Sequence, residues 1–271
     1  TEVNLTKKNV DPGQAKILAA ELKASRAVAV INSLALGSNP IGDEAMIQLL
    51  DVLKDVSLTS FHISNTNCGV STATKLAELL SEETKFRAAV TWVSVLSNPI
   101  GDGADALIEV FEQNDKIQTL LGLEEGVQVL DLSKKQIDPG QAKILAAEIR
   151  VRRFTAAVEA IAIGANPITS EGGATLLETI KTSKLKTIDI GKPLPLQEPY
   201  GSDTLDLSNT KMDPGHVLLL SWWLATDAAA ALTSINCLKN PIGDDGLATL
   251  VAAVKDSSVR SICGLVEGQT V

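Results

Sequence analysis

The chain has 271 residues, 45% hydrophobic and 21% charged, with a formal net charge of −9 and a pI near 4.8. That is enough apolar material for a sizeable core. It excludes a basic stripe for nucleic acid, since the densest basic stretch, Arg150 to Arg153, is broken by Val151. It also excludes a membrane-inserting helix, because no run of about 18 apolar residues occurs.

In chain order, eight segments show apolar residues at period two, which predicts short strands. They are Val3-x-Leu5, Leu34-x-Leu36, Phe61-x-Ile63, Val93-x-Val95, Leu130-x-Leu132, Ile161-x-Ile163, Leu205-x-Leu207 and Ile235-x-Cys237. Each leads through a turn into a helical stretch. In the first, Asp11 is the expected cap, Pro12 suits the first helical position and Gln14 can close a capping box. Asp138 and Gln141 repeat that arrangement. At Asp213 the third residue is His216, so the box is expected to be lost. The other predicted caps are Asp43, Asp102, Ser170 and Asp244.

Repetition is the dominant signal. Asp-Pro-Gly-Gln-Ala-Lys-Ile-Leu-Ala-Ala-Glu occurs unchanged at Asp11–Glu21 and Asp138–Glu148, an offset of 138 − 11 = 127 residues. Asn-Pro-Ile stands at Asn39, Asn98, Asn166 and Asn240. Three further short strands, Ile117 to Leu123, Leu185 to Gly191 and Val259 to Leu265, lack a helix; Gly122–Gly126 and Gly264–Gly268 are near copies. Residues 269–271 read as the opening of another repeat. The pattern therefore implies one continuous array over 1–271, as a segment of a longer array or with its ends covered by a partner. Such repeats bury their apolar faces only by stacking.

The string Leu-x-Leu-x-x-Asn-x-Ile-Gly-Asp followed by an alanine- and leucine-rich helix resembles the ribonuclease-inhibitor-like class of leucine-rich repeats. The resemblance covers essentially the whole chain. It implies an α/β horseshoe solenoid, with parallel strands on the concave face and helices on the convex face. It also implies an intracellular eukaryotic protein that binds other proteins. The chain departs from the class pattern at Lys8, Thr66, Lys135 and Thr210, which replace the turn asparagine, and in the proline-rich insert Gly191 to Thr204.

Signals for chemistry are weak. His62 and His216 are the two histidines, and no His/Cys spacing suits zinc. Cys68 and Cys237 fall at core positions. Three cysteines do not read as a disulfide framework, which points to a reducing compartment such as the cytoplasm. Asp131, Asp189 and Asp206 share a strand face, where paired carboxylates can do acid–base work, but Leu-Asp-Leu is also a common solvated strand pattern. Gly42, Gly101 and Gly243 follow Asn-Pro-Ile at turns and belong to no phosphate loop. No cofactor, metal or enzymatic activity is expected.

The expected function is a non-enzymatic scaffold or recognition module for a protein partner. The candidate contact residues are His62, Asp131, Lys134, Asp206, Asn209, Asn236 and Lys239 on the strand face. Trp222, Trp223 and Tyr200 are candidate anchors elsewhere, with packing into the core as the alternative for the tryptophans. Two other readings stay open: a structural subunit of a large permanent assembly, and a regulator of a small GTPase.

Overall fold

The computed structural model describes residues 1–24, 31–153 and 155–265. It is an α/β protein in which parallel strands alternate with helices. The chain divides into two compact units, residues 1–125 with 143–156, and residues 126–142 with those from 157 onward. The expected repeat opening at 269–271 lies outside the described residues.

In the first unit, β1 (Glu2–Asn4), β2 (Ser33–Ala35), β3 (Ser60–His62) and β4 (Trp92–Ser94) form a parallel sheet in chain order. Their central residues Val3, Leu34, Phe61 and Val93 are in register. Alternate residues of a strand point to opposite faces, so one apolar residue per short strand enters the core. The helices are α1 (Pro12–Ala24), α2 (Gly42–Leu53), α3 (Val70–Ser81), the short α4 (Lys85–Ala89) and α5 (Gly103–Gln113). Their apolar stripes are buried, with Leu49, Leu50 and Leu53 from α2, Leu76 and Leu80 from α3, and Leu107 and Phe111 from α5. The expected strand at 117–123 makes only single bridges, Trp92 with Thr119 and Ser94 with Leu121.

In the second unit, β5 (Val129–Asp131), β6 (Ala160–Ala162) and β7 (Thr187–Asp189) are parallel. The proline-rich insert then turns back, and β8 (Pro193–Pro195) pairs antiparallel with β7. Prolines suit this edge position, because an edge strand does not need every amide to donate. β9 (Thr204–Asp206) and β10 (Ser234–Asn236) form a separate parallel pair. The helices of this unit are α7 (Thr169–Thr182), α8 (Pro214–Leu224) and α9 (Gly243–Lys255). A further helix, α6 (Pro139–Val151), has its first four residues in the second unit and the rest in the first. Helices α7 and α8 approach closely at two glycines. A Cβ on Gly173 would meet the Gly215 Cα at 2.5 Å, and one on Gly215 would meet the Thr169 carbonyl oxygen at 2.1 Å.

The Asn-Pro-Ile asparagines bind consecutive repeats together. Asn98 Oδ1 accepts from the Thr66 and Cys68 amides at 2.9 and 3.2 Å. Its Nδ2 donates to the Ile63 and Val95 carbonyls at 2.7 and 3.0 Å. Asn39, Asn166 and Asn240 serve the turns before them in the same way. These amides, buried at Asn39, Asn98 and Asn166 and half-buried at Asn240, satisfy backbone groups that would otherwise be orphaned. Where the chain has Thr66 or Thr210 instead, the hydroxyl donates to a strand carbonyl, Ile63 or Leu207. The interrupted asparagine series therefore leaves the turns satisfied, because each asparagine serves its own turn and the one before it.

Two expectations about caps are corrected. Asp43, Asp102, Ser170 and Asp244 do not cap their own helices, since the residues at those helix starts make no side-chain cap bond. Asp43 reaches across to α3 instead, accepting from the Gly69 amide at 2.8 Å and from the Thr72 amide and hydroxyl. The box at Asp213 is also not lost. The His216 ring takes the part of glutamine, with Nδ1 3.3 Å from the Asp213 amide nitrogen and 2.7 Å from Asp213 Oδ1. The paired boxes at Asp11 with Gln14 and at Asp138 with Gln141 form as expected at the aspartates.

Candidate interaction surface

The strand-face residues are held by short local bonds. Asp131, Asp206 and Asn236 each end a strand, and each accepts a hydrogen bond from the amide two residues on, at Ser133, Ser208 and Leu238. The Ser133 amide and hydroxyl hold the Asp131 carboxyl below its ordinary range, and Ser208 does the same for Asp206. Both stay ionised, solvated carboxylates, as the Leu-Asp-Leu reading expects. Asp189 accepts from the Gly191 amide at 2.7 Å in the same manner.

The next turn position is left-handed in repeat after repeat: Lys134 at φ 59°, Ala165 at 59°, Asn209 at 56° and Lys239 at 59°. Left-handed backbone costs an L-residue about 1 kcal/mol, so the turn asparagine bonds offset strain there. These turns present Lys134, Asn209 and Lys239 at the ends of the strands.

In the second unit the strand ends enclose a shallow pocket of about 530 Å³. Lys134, Asp189, Asn209 and Lys211 line it, together with Gly164 and Gly191. Gly191 sits at φ 121°, and a Cβ there would meet the Thr210 side chain at 2.5 Å. Two lysines against one aspartate leave the rim suited to a carboxylate-bearing segment. Lys134 and Asn209 were expected on this face. Lys211 and Gly191 were not: Lys211 follows its strand by five residues, against three for Lys134 and Asn209, and Gly191 opens the proline-rich insert, outside the eight repeats.

The remaining candidates lie apart from this pocket. His62 bonds the Ser64 hydroxyl and packs edge-on against Trp92, with ring centroids 5.8 Å apart. Burial holds its imidazole below the usual histidine range. Asn236 and Lys239 belong to the β10 turn and do not line the pocket. Trp223 is a core residue and not a surface anchor. It is 0% exposed, and its indole donates to the Pro195 carbonyl at 2.6 Å. Tyr200 packs edge-on against that indole at 5.6 Å, so the insert is tied to α8 through this pair. Trp222 beside it is half-buried.

Several groups that carry the stability argument lie away from the candidate surface. Cys68 and Cys237 are buried, and burial raises both thiols, Cys237 to about 12, which leaves them unreactive. Glu148 is buried in α6, where Oε1 accepts from the Leu120 and Leu121 amides at 2.7 and 2.9 Å and the Thr119 hydroxyl lies 3.0 Å from Oε2. Burial pushes its carboxyl up to about 7, against the pull of those bonds and the Arg153 guanidinium. The repeated string had marked this glutamate only as the end of a copied motif.

Among the described residues no group of three or more His, Cys, Asp or Glu is placed to hold a metal ion. Among them, too, no helix is long and apolar enough to cross a membrane. Comparison of the sequence with protein-family models and with curated proteins finds no match.

Proposed function

We propose that the chain is a leucine-rich-repeat solenoid of the ribonuclease-inhibitor-like kind that holds a protein partner and runs no reaction. The observation that carries this reading is the pocket at the strand ends of the second unit, with turns already fixed by Asp131, Asp206 and Asp189. A surface whose backbone is ordered before binding loses little entropy when a partner arrives. The partner segment it suits is extended and carries a carboxylate for Lys134 and Lys211.

The test is affinity capture from a native extract with the chain and with the double variant Lys134→Glu, Lys211→Glu. Both lysines are exposed, so the variant keeps its fold. Loss of a specific protein in the variant supports the reading, and identical capture overturns the assignment of this surface. A second reading, a structural subunit of a permanent assembly, is favoured by the apolar side chains Leu247, Val251 and Leu265, which are 43%, 40% and 48% exposed. Small-GTPase regulation is tested by hydrolysis rates across a GTPase panel, and unchanged rates remove it.

A further inference from the structure

Two sets of amides close the strand ends. Two residues beyond five of the strands, the amide donates to the side-chain oxygen of the strand's last residue. Thr6 donates to Asn4, Ser133 to Asp131, Gly191 to Asp189, Ser208 to Asp206 and Leu238 to Asn236, at 2.7–3.2 Å. One residue further on, the backbone is left-handed and the amide donates to a carbonyl of the following repeat. Lys7, Ser38, Asn65, Lys134 and Asn209 do so at 2.9–3.0 Å.

The turn after β6 has neither bond. β6 ends in Ala162, which lies in register between Asp131 and Asp189 and has no oxygen to offer the Gly164 amide. The carbonyl in the place that would receive the Ala165 amide belongs to Gly191, where the chain turns at φ 121° into the proline-rich insert. No described residue accepts a hydrogen bond from the Gly164 or Ala165 amide. In the first unit the Gly37 and Ser64 amides also lack a described acceptor, but the amides after them, at Ser38 and Asn65, are both taken. After β6 two successive donors are bare. Gly164 is buried, where a donor without an acceptor is costly. Successive amides at a left-handed residue such as Ala165 form a concavity that suits an anion.

Gly164 and Ala165 both line the strand-end pocket, with Lys134 and Lys211. Neither lysine forms an ion pair with a described residue. Asp189 is the acid among the lining residues, so the two lysines leave a single positive charge to be neutralised. Asp131 and Asp189 flank Ala162 in register and repel any further negative charge placed between them. A carboxylate carries one charge and matches the lining. A phosphate dianion overshoots it.

We propose that this pocket, taken as the partner's site as above, receives the side-chain carboxylate of an aspartate on that partner, with the Gly164 and Ala165 amides as donors and Lys134 and Lys211 as counter-charges. The bond to Gly164 is the one that Asp131, Asp189 and Asp206 make within the chain, supplied from outside.

The chain, isotope-labelled on nitrogen, is titrated with three blocked tripeptides while its amide signals are followed by NMR. The peptides are acetyl-Gly-Asp-Gly-amide and its asparagine and phosphoserine counterparts. The Gly164 and Ala165 signals are expected to move and saturate with the aspartate peptide, and the other two peptides to bind at least about tenfold more weakly. Ala162→Asn supplies from within the oxygen that Asn236 gives to Leu238. It is expected to weaken the aspartate peptide at least about tenfold with both lysines intact, and the rest of its spectrum confirms the fold. Gly164 and Ala165 signals that stay still, either other peptide binding as tightly as the aspartate one, or an Ala162→Asn chain that responds as the wild type does each overturns the proposal. The reading of the pocket as the partner's site fails by a different measurement, capture from an extract that ignores Lys134→Glu, Lys211→Glu, whether or not the two amides respond.

Discussion

Helices α1 and α6 begin with the same ten residues, each preceded by the same aspartate, and end in opposite states. In α6, Gln141, Ile144, Leu145, Ala147 and Glu148 are all buried. In α1, Ala15, Ala19 and Leu22 are buried, while Gln14, Ile17 and Glu21 are exposed. Local sequence therefore determines the helix and its cap, and the neighbour determines which residues become core. A glutamate that is a solvated surface group in one copy is a buried acceptor for two amides and a hydroxyl in the other.

The largest effects should come from removing α6 groups whose α1 twins are dispensable. Glu148→Ala leaves two buried amides without an acceptor and is expected to cost about 3 kcal/mol or more in urea unfolding. Glu21→Ala should leave monomer stability unchanged. Equal losses at both positions would break the comparison. Ile144→Ala should cost about 2–5 kcal/mol, as large-to-small core changes do, against well under 1 kcal/mol for Ile17→Ala.

Two acidic groups, Glu148 in the first unit and Asp213 in the second, should also answer pH in opposite directions. Folding raises the Glu148 carboxyl from 4.5 to about 7. The unfolded chain loses that proton near 4.5 while the folded one holds it until about 7, so this group's contribution falls as pH rises across the window. The fall amounts to roughly 3 kcal/mol, and Glu148→Gln should abolish it. Asp213 works the other way. Burial would raise its carboxyl, but the bond and charge interaction with His216, together with the Thr169 and His216 amides, outweigh burial and lower it. Its contribution is present above the ordinary aspartate range and is lost as pH falls through the lowered folded value. Asp213→Asn should remove that acid-side loss, measured by thermal unfolding between pH 3 and 6.

Smaller effects separate the turn groups. Asn98→Ala strips partners from four buried backbone groups and should cost about 2–3 kcal/mol. Thr169 holds φ 55° where the other Asn-Pro-Ile repeats have Gly42, Gly101 and Gly243 at 72°, 43° and 65°. A branched residue is strained there, so Thr169→Gly should raise stability by about 1 kcal/mol. No gain on calorimetry would mean that the bond from its amide to Asp213 already offsets the strain.

Much of this molecule was legible in its residues. The period-two pairs became strands, Pro12, Pro139 and Pro214 opened helices, and Cys68 and Cys237 fell in the core. Asp43 was misread because it sits in the first turn of its own helix while its carboxylate accepts from the amides at the start of the next one. His216 was misread because a ring nitrogen can stand in for a glutamine oxygen, accepting from the Asp213 amide. Of the candidate surface residues, Lys134 and Asn209 share a pocket, while Trp223 is interior, since adjacent tryptophans on a helix face different ways and only packing decides which is covered.

The sequence by itself determined where strands, turns and helices fall, because period, proline and asparagine act on neighbours a few residues away. Only the tertiary structure decided that Glu148 is an acceptor inside the core and Glu21 a group at the surface, and that Lys134, Lys211 and Asp189 line one pocket. Burial and hydrogen bonding depend on what stands across the space between elements, and two identical strings can have different neighbours.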